Sequence, residues 1–85
     1  MNYRVDLPRR QQRALDRLPP ADRARLSKAI FELGAEPRPR GVKRLSGSAL
    51  WRIRIGEYRV IFTIGDRARV VTITDVKRRT TTTYD

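Results

Sequence analysis

The sequence predicts an α+β domain of order β-α-α-β-β-β, with a helical hairpin packed on one face of a small, mainly antiparallel sheet. Three observations carry this. Apolar residues recur at helical spacing between Pro8 and Leu33, and they alternate with period two in successive runs between Leu50 and Val76. Short turn signals join those later runs, as in an antiparallel meander. The 85 residues are one domain's worth of chain, taken as a single unit over 1–85. No Cys is present to staple it, so the core must be apolar.

The elements follow in order. Tyr3-Arg4-Val5-Asp6-Leu7 alternates apolar and polar, the period of a half-buried strand, and Pro8 closes it. From Pro8 to Leu18 the apolar positions Ala14, Leu15 and Leu18 form one narrow stripe among Arg and Gln, which predicts a short helix. Pro19-Pro20 breaks it, because proline lacks an N–H and disfavours helical geometry in the residue before it. Pro20 then opens a second helix, with Asp22 near its positive end. Leu26, Ile30 and Leu33 line one face of that helix before Gly34 stops it.

Residues 35–49 carry two Pro, two Gly and four basic residues with little periodicity, a connecting segment with room for a short strand around Val42 to Leu45. Three strands follow. Leu50 to Ile55 sets Trp51, Ile53 and Ile55 on one face and Arg52 and Arg54 on the other. Tyr58 to Ile64 sets Tyr58, Val60, Phe62 and Ile64 opposite Arg59, Ile61 and Thr63. Gly56-Glu57 is a two-residue hairpin signal between them. After a turn at Gly65-Asp66-Arg67, Arg69 to Val76 places Val71 and Ile73 opposite Thr72 and Thr74.

A helical hairpin covers one face of such a sheet, so Trp51, Ile53, Val60, Phe62, Val71 and Ile73 are expected in the core. The other face is expected to stay open and to collect Arg52, Arg54, Arg59 and, by continued alternation, Arg78. A solvated face also accepts long basic side chains, but it ordinarily mixes both signs of charge, and the acids nearest in sequence, Glu57 and Asp66, fall in turns. Strand parity assigns Trp51 and Tyr58 to the core rather than to ligand stacking.

Composition narrows the chemistry. There is no His and no Cys, which removes the usual ligands of zinc, haem and iron–sulfur centres and the usual catalytic bases and nucleophiles. No apolar run is long enough for a membrane span. The start, with Asp6 and Pro8, has no signal-peptide core, so a cytoplasmic location is expected. Twenty Lys and Arg against nine Asp and Glu leave a net charge of +11, which points to a polyanionic partner. Residues 38–85 hold twelve of the basic residues and only four acidic ones, so the excess is concentrated in the C-terminal half. Only Lys28, Lys43 and Lys77 are lysine. Arginine suits bidentate phosphate binding, although codon bias alone can produce the same preference.

Three stretches carry a resemblance: Pro37-Arg38-Pro39-Arg40-Gly41-Val42-Lys43-Arg44-Leu45, Trp51 through Phe62 with its Gly56-Glu57-Tyr58-Arg59 turn, and the ending Val76-Lys77-Arg78-Arg79 with Tyr84. With the element order, they resemble the RelE/ParE superfamily of toxins from prokaryotic toxin–antitoxin modules over essentially the whole chain. The basic ending followed by Tyr84 leans toward the RelE branch. The resemblance implies a RelE-like microbial RNase-type fold. It also implies a ribosome-dependent, metal-independent endoribonuclease that cleaves mRNA in the A site and inhibits translation. ParE-like members instead poison DNA gyrase and generally lack the catalytic cluster.

Carried over by position, the two strand lysines of the RelE branch fall on Arg52 and Arg54, the turn arginine on Arg59, the late arginine on Arg78 and the C-terminal tyrosine on Tyr84. Arginine in place of lysine keeps the positive charge but is a poor base. RNA cleavage of this kind needs a base for the 2′-OH, cations for the phosphorane and an acid for the 5′ oxygen. The arginines suit the second role; Tyr84, Lys77 and Lys43 are the candidate bases, with the ribosome's positioning of the mRNA supplying much of the rate. The resemblance therefore marks Arg59, Arg78 and Tyr84 as catalytic. Arg52, Arg54, Lys43, Arg44, Lys77 and Arg79 are left to bind RNA or rRNA phosphate, without metal or cofactor. The implied partners are an acidic cognate antitoxin in a hetero-oligomer, the ribosome and mRNA, and no membrane. Two alternatives stand: a ParE-like toxin that inhibits gyrase by binding, and a catalytically degenerate, basic RNA-binding homologue.

Overall fold

The structure, a computed structural model, describes residues 2–78. Its elements are β1 (Arg4–Asp6), α1 (Arg9–Asp16), α2 (Pro20–Glu32), β2 (Lys43–Arg44), β3 (Leu50–Ile55), β4 (Tyr58–Gly65) and β5 (Val70–Arg78). The five strands form one sheet in the order β1-β5-β4-β3-β2. β1 runs parallel to β5, and every other pair is antiparallel. This is the expected α+β architecture, with the two-residue strand of the connecting segment as its edge. No helix among the described residues is long and apolar enough to cross a membrane.

The prolines act as the sequence predicts. α1 ends before Pro19, and Pro20 occupies the first turn of α2, where its missing N–H costs no helical hydrogen bond. Leu15 of α1 and Leu26 and Ile30 of α2, with Leu33 just beyond, pack against Ile55, Tyr58, Val60, Phe62, Val71 and Ile73. Phe62 and Val60 are fully buried at the centre of this layer. Gly34 does more than stop α2. A Cβ there would lie 2.8 Å from the Tyr3 carbonyl oxygen, and the Tyr3 N–H donates to the Gly34 carbonyl at 2.6 Å, so the chain crosses here with no room for a side chain. Gly56 takes φ +61 at the β3–β4 hairpin, a left-handed conformation that favours glycine.

One departure from simple alternation matters for the site. In the β4–β5 ladder Ile61 faces Asp75 but Phe62 faces Ile73, so Thr74 is an extra residue in a β-bulge. Before it, Val71 and Ile73 point to the helices; after it, Val76 and Arg78 lie opposite Val60 and Tyr58 on the helix side. Asp75 and Lys77 move to the open face. The parity expected for Arg78 is therefore reversed, because the side-chain period of two restarts one residue later.

Candidate functional site

Two rungs of residues cross the open face. In one, Lys43 of β2, Arg52 of β3, Ile61 of β4 and Asp75 of β5 lie side by side. In the next, Arg54, Arg59 and Lys77 are direct cross-strand neighbours on three strands. Directly opposite residues have Cβ atoms about 4.5–5.5 Å apart, so three cationic side chains leave the sheet within a span of about 10 Å. The sheet imposes this closeness through backbone pairing, and an anion laid across the rung relieves the repulsion it creates.

The face is not uniformly polar. Ile61 is 8% exposed and Arg52 only 6%, both on the side away from the helices. Leu45, Leu50, Ile61, Thr74, Asp75, Arg59 and Lys77 line an open groove of about 440 Å³. Its walls combine aliphatic surface, against which a planar base can lie, with cations that suit a phosphate. One carboxylate stands within this field. Lys77 Nζ is 3.3 Å from Asp75 Oδ2. Asp75 is an acid on the face that continued alternation would have turned inward.

Of the residues singled out from the sequence, Lys43, Arg52, Arg54, Arg59 and Lys77 come together on this face. Arg44 and Arg78 do not. Arg44 is opposite Trp51 on the helix side, its guanidinium 6.0 Å from the indole centroid, while Arg38 approaches the same ring to 5.0 Å. Arg78 lies opposite Tyr58, and its Nη2 is 3.5 Å from Glu57 Oε2 at the hairpin tip, which corrects its expected place beside Arg59. Arg79 and Tyr84 lie outside the described residues. The expectation that Trp51 and Tyr58 are structural is met: both face the helices, and the Tyr58 hydroxyl donates to Asp22 Oδ2 at 2.9 Å. That bond, with burial, raises the Tyr58 pKa above its ordinary value and keeps the phenol protonated. Among the described residues no group of three or more carboxylates gathers into a metal site.

The alternation argument missed the exchange of Lys77 for Arg78. Its signal was present in the spacing of apolar residues: Val71 and Ile73 are two apart, but the next is Val76, a step of three. A single step of three in an otherwise two-step strand marks an extra residue.

Comparison with known proteins agrees with this geometry. The family described as ParE toxin of the type II toxin–antitoxin system, parDE, matches residues 5–82. The putative toxin RelE1 of Methanocaldococcus jannaschii is 31% identical over 83 residues, which span 93% of this chain and 92% of that protein. The chain belongs to the RelE/ParE superfamily of toxins. Among solved structures, this RelE-like toxin is similar to a chain of the archaeal RelE–RelB complex from Pyrococcus horikoshii, with 34% identity and a TM-score of 0.84 over 95% of this chain and 99% of that one. It is also similar to a chain of the toxin–antitoxin complex RelBE2 from Mycobacterium tuberculosis, with 30% identity and a TM-score of 0.79 over 93% and 100% of the two chains. The isolated Escherichia coli RelE toxin, at 22% identity and a TM-score of 0.77 over 92% and 85%, shares the fold.

Proposed function

We propose that this toxin is a ribosome-dependent mRNA endoribonuclease whose open face holds the RNA backbone. The observation that carries the reading is the Arg54–Arg59–Lys77 rung, continued by Lys43 and Arg52. Phosphate oxygens spaced along a single strand suit such a row, and the aliphatic floor at Leu50 and Ile61 takes a base between them. Cations aimed at the scissile phosphate stabilise the charge that builds on it during attack by the 2′-OH. Arg59, at the centre of the rung, is assigned this role. Lys77 is the described amine nearest to it in the ladder and is a candidate proton carrier.

Arg78 enters from the rim. It is two-thirds exposed and its pair with Glu57 is long, so a phosphate with greater charge can replace that carboxylate. Tyr84 is assigned to proton transfer or base stacking on the strength of the family resemblance. An acidic antitoxin is the expected partner: the charge of +11 favours one, and the similar archaeal and mycobacterial chains occur in RelE–RelB and RelBE2 complexes. Incubation with programmed ribosomes, followed by mapping of RNA 5′ ends, tests the reading. A-site cleavage that falls with Arg59→Ala or Tyr84→Phe supports it, and intact mRNA refutes it.

A second reading keeps a specific observation in its favour. The matching family is described as ParE toxin, and arginines stand where the RelE branch has strand lysines. Inhibition of gyrase supercoiling with accumulated cleavage complexes, and no effect on ribosomes, would select it.

A further inference from the structure

Gln11 is a buried polar residue on the inward face of α1. It is 7% exposed, one turn from Leu15, at a position where the helix otherwise presents apolar side chains to the sheet. A buried amide is costly unless it is hydrogen-bonded, and Gln11 has one specific use for its donor. Its Nε2 donates to the carbonyl oxygen of Thr74 at 2.9 Å, across 63 residues of sequence. Thr74 is the extra residue of the bulge, the one whose backbone groups the sheet ladder does not pair regularly. From the other strand, the Ile61 carbonyl accepts a bond from Thr74 Oγ1 at 3.2 Å. The bulge is thus tied to α1 through its carbonyl and to β4 through its hydroxyl.

What the bulge decides is which cation stands beside Arg59. With it, Lys77 joins the rung and Arg78 turns to Glu57. Without it, alternation from Ile73 would carry Lys77 to the helix side and Arg78 to the open face. We infer that Gln11 is a positioning residue for the RNA-binding face: it holds the Thr74 bulge and thereby sets Lys77 beside Arg59. This rests on the proposed RNA-binding reading for its consequence, but its geometric half stands apart from it.

The test uses the full chain and a non-cleavable 2′-O-methyl RNA oligonucleotide. Affinity is measured over a range of KCl concentrations for the wild type, Lys77→Ala, Gln11→Met and the double variant. Removing one phosphate interaction lowers the salt slope by about one. Lys77→Ala is expected to lower it by that amount in the wild type and to change nothing further in the Gln11→Met background. Equal effects of Lys77→Ala in both backgrounds would overturn the inference. A purely structural role for Gln11 would weaken folding without coupling to Lys77.

A second measurement separates the two readings. Cross-strand nuclear Overhauser peaks between Arg59 and Lys77 backbone protons are expected in the wild type and should vanish in Gln11→Met, whether or not RNA binds. Their persistence in the variant overturns the positioning role. If the wild type binds no oligonucleotide while the peaks still vanish in the variant, the RNA reading alone is refuted. Should Gln11→Met not fold, Gln11→Glu keeps the shape and donates to Thr74 only when its carboxyl is protonated. The Arg59–Lys77 peaks should then return on acidification in that variant, and pH-independent peaks would overturn the inference.

Discussion

The Tyr58 hydroxyl donates to the carboxylate of Asp22 at 2.9 Å, tying the start of β4 to the first turn of α2. Because α2 has no side-chain cap on its N-terminal N–H groups, Asp22 serves both as the acid favoured at that end and as the acceptor for the sheet. The bond raises the Tyr58 pKa, so its stabilisation is complete below the ordinary tyrosine pKa of about 10 and is lost as pH rises through the folded-state value. Tyr58→Phe should lower the urea midpoint at neutral pH without changing the slope, and should narrow the difference from wild type above pH 10. In a spectrophotometric titration, Asp22→Asn should return the late phenol to the ordinary range.

A second prediction concerns acid. Arg38 holds Asp66 by two bonds, Nη2 to Oδ2 at 2.9 Å and Nη1 to Oδ1 at 3.2 Å, and the Tyr3 hydroxyl donates to Oδ1 at 2.6 Å. The guanidinium first, and the phenol second, pull the Asp66 carboxyl down from 3.8 to about 2. Its contribution is therefore present above pH 3.8 and is lost as pH falls through 2, the sign for a depressed carboxylate. Arg38→Ala should raise the Asp66 midpoint toward 3.8 in a carbon-detected NMR titration. A midpoint unmoved by that substitution would remove Arg38 as the cause.

The core makes a larger claim. Phe62 has no exposed surface and sits where both helices meet the sheet, so Phe62→Ala should cost about 3–5 kcal/mol in urea unfolding. Phe31, 79% exposed on α2, should tolerate Phe31→Ser within about 0.5 kcal/mol.

At the hairpin, Gly56→Ala must place a Cβ at φ +61 and 2.9 Å from Arg25 Nη1. The backbone share alone is about 1–2 kcal/mol. A flexible guanidinium can retreat, so Gly56→Ala/Arg25→Ala should recover little of the loss, which calorimetry of the three variants would measure.

For the proposed activity, removing one cation that stabilises the scissile phosphate should lower ribosome-dependent cleavage about 100- to 1,000-fold, and Arg59→Ala is the substitution that tests it. Arg44→Ala, on the helix-side face against Trp51, should leave cleavage within a few-fold of wild type. Equal losses at the two positions would mean that the open face is not the reactive one.

Much of this was legible in the chain. Pro19-Pro20 set the break between the helices, the spacing of Leu26, Ile30 and Leu33 set one buried face, and alternation in β3 and β4 set Arg52, Arg54 and Arg59 opposite the core. These are local properties, since a helix or strand turns its side chains with a period carried by its own backbone. Trp51 could be assigned to the core by the same rule, but its two arginine neighbours could not, because Arg38 and Arg44 reach it from other segments.

By itself, then, the sequence determined the order of elements, the inward face of each and the concentration of positive charge in the strands. The tertiary structure alone decided which of Lys77 and Arg78 stands beside Arg59. A bulge is a property of two paired strands and of whatever holds the extra residue, here the Gln11 amide from α1 and the Ile61 carbonyl from β4. A period of two within one strand carries no record of partners 63 and 13 residues away.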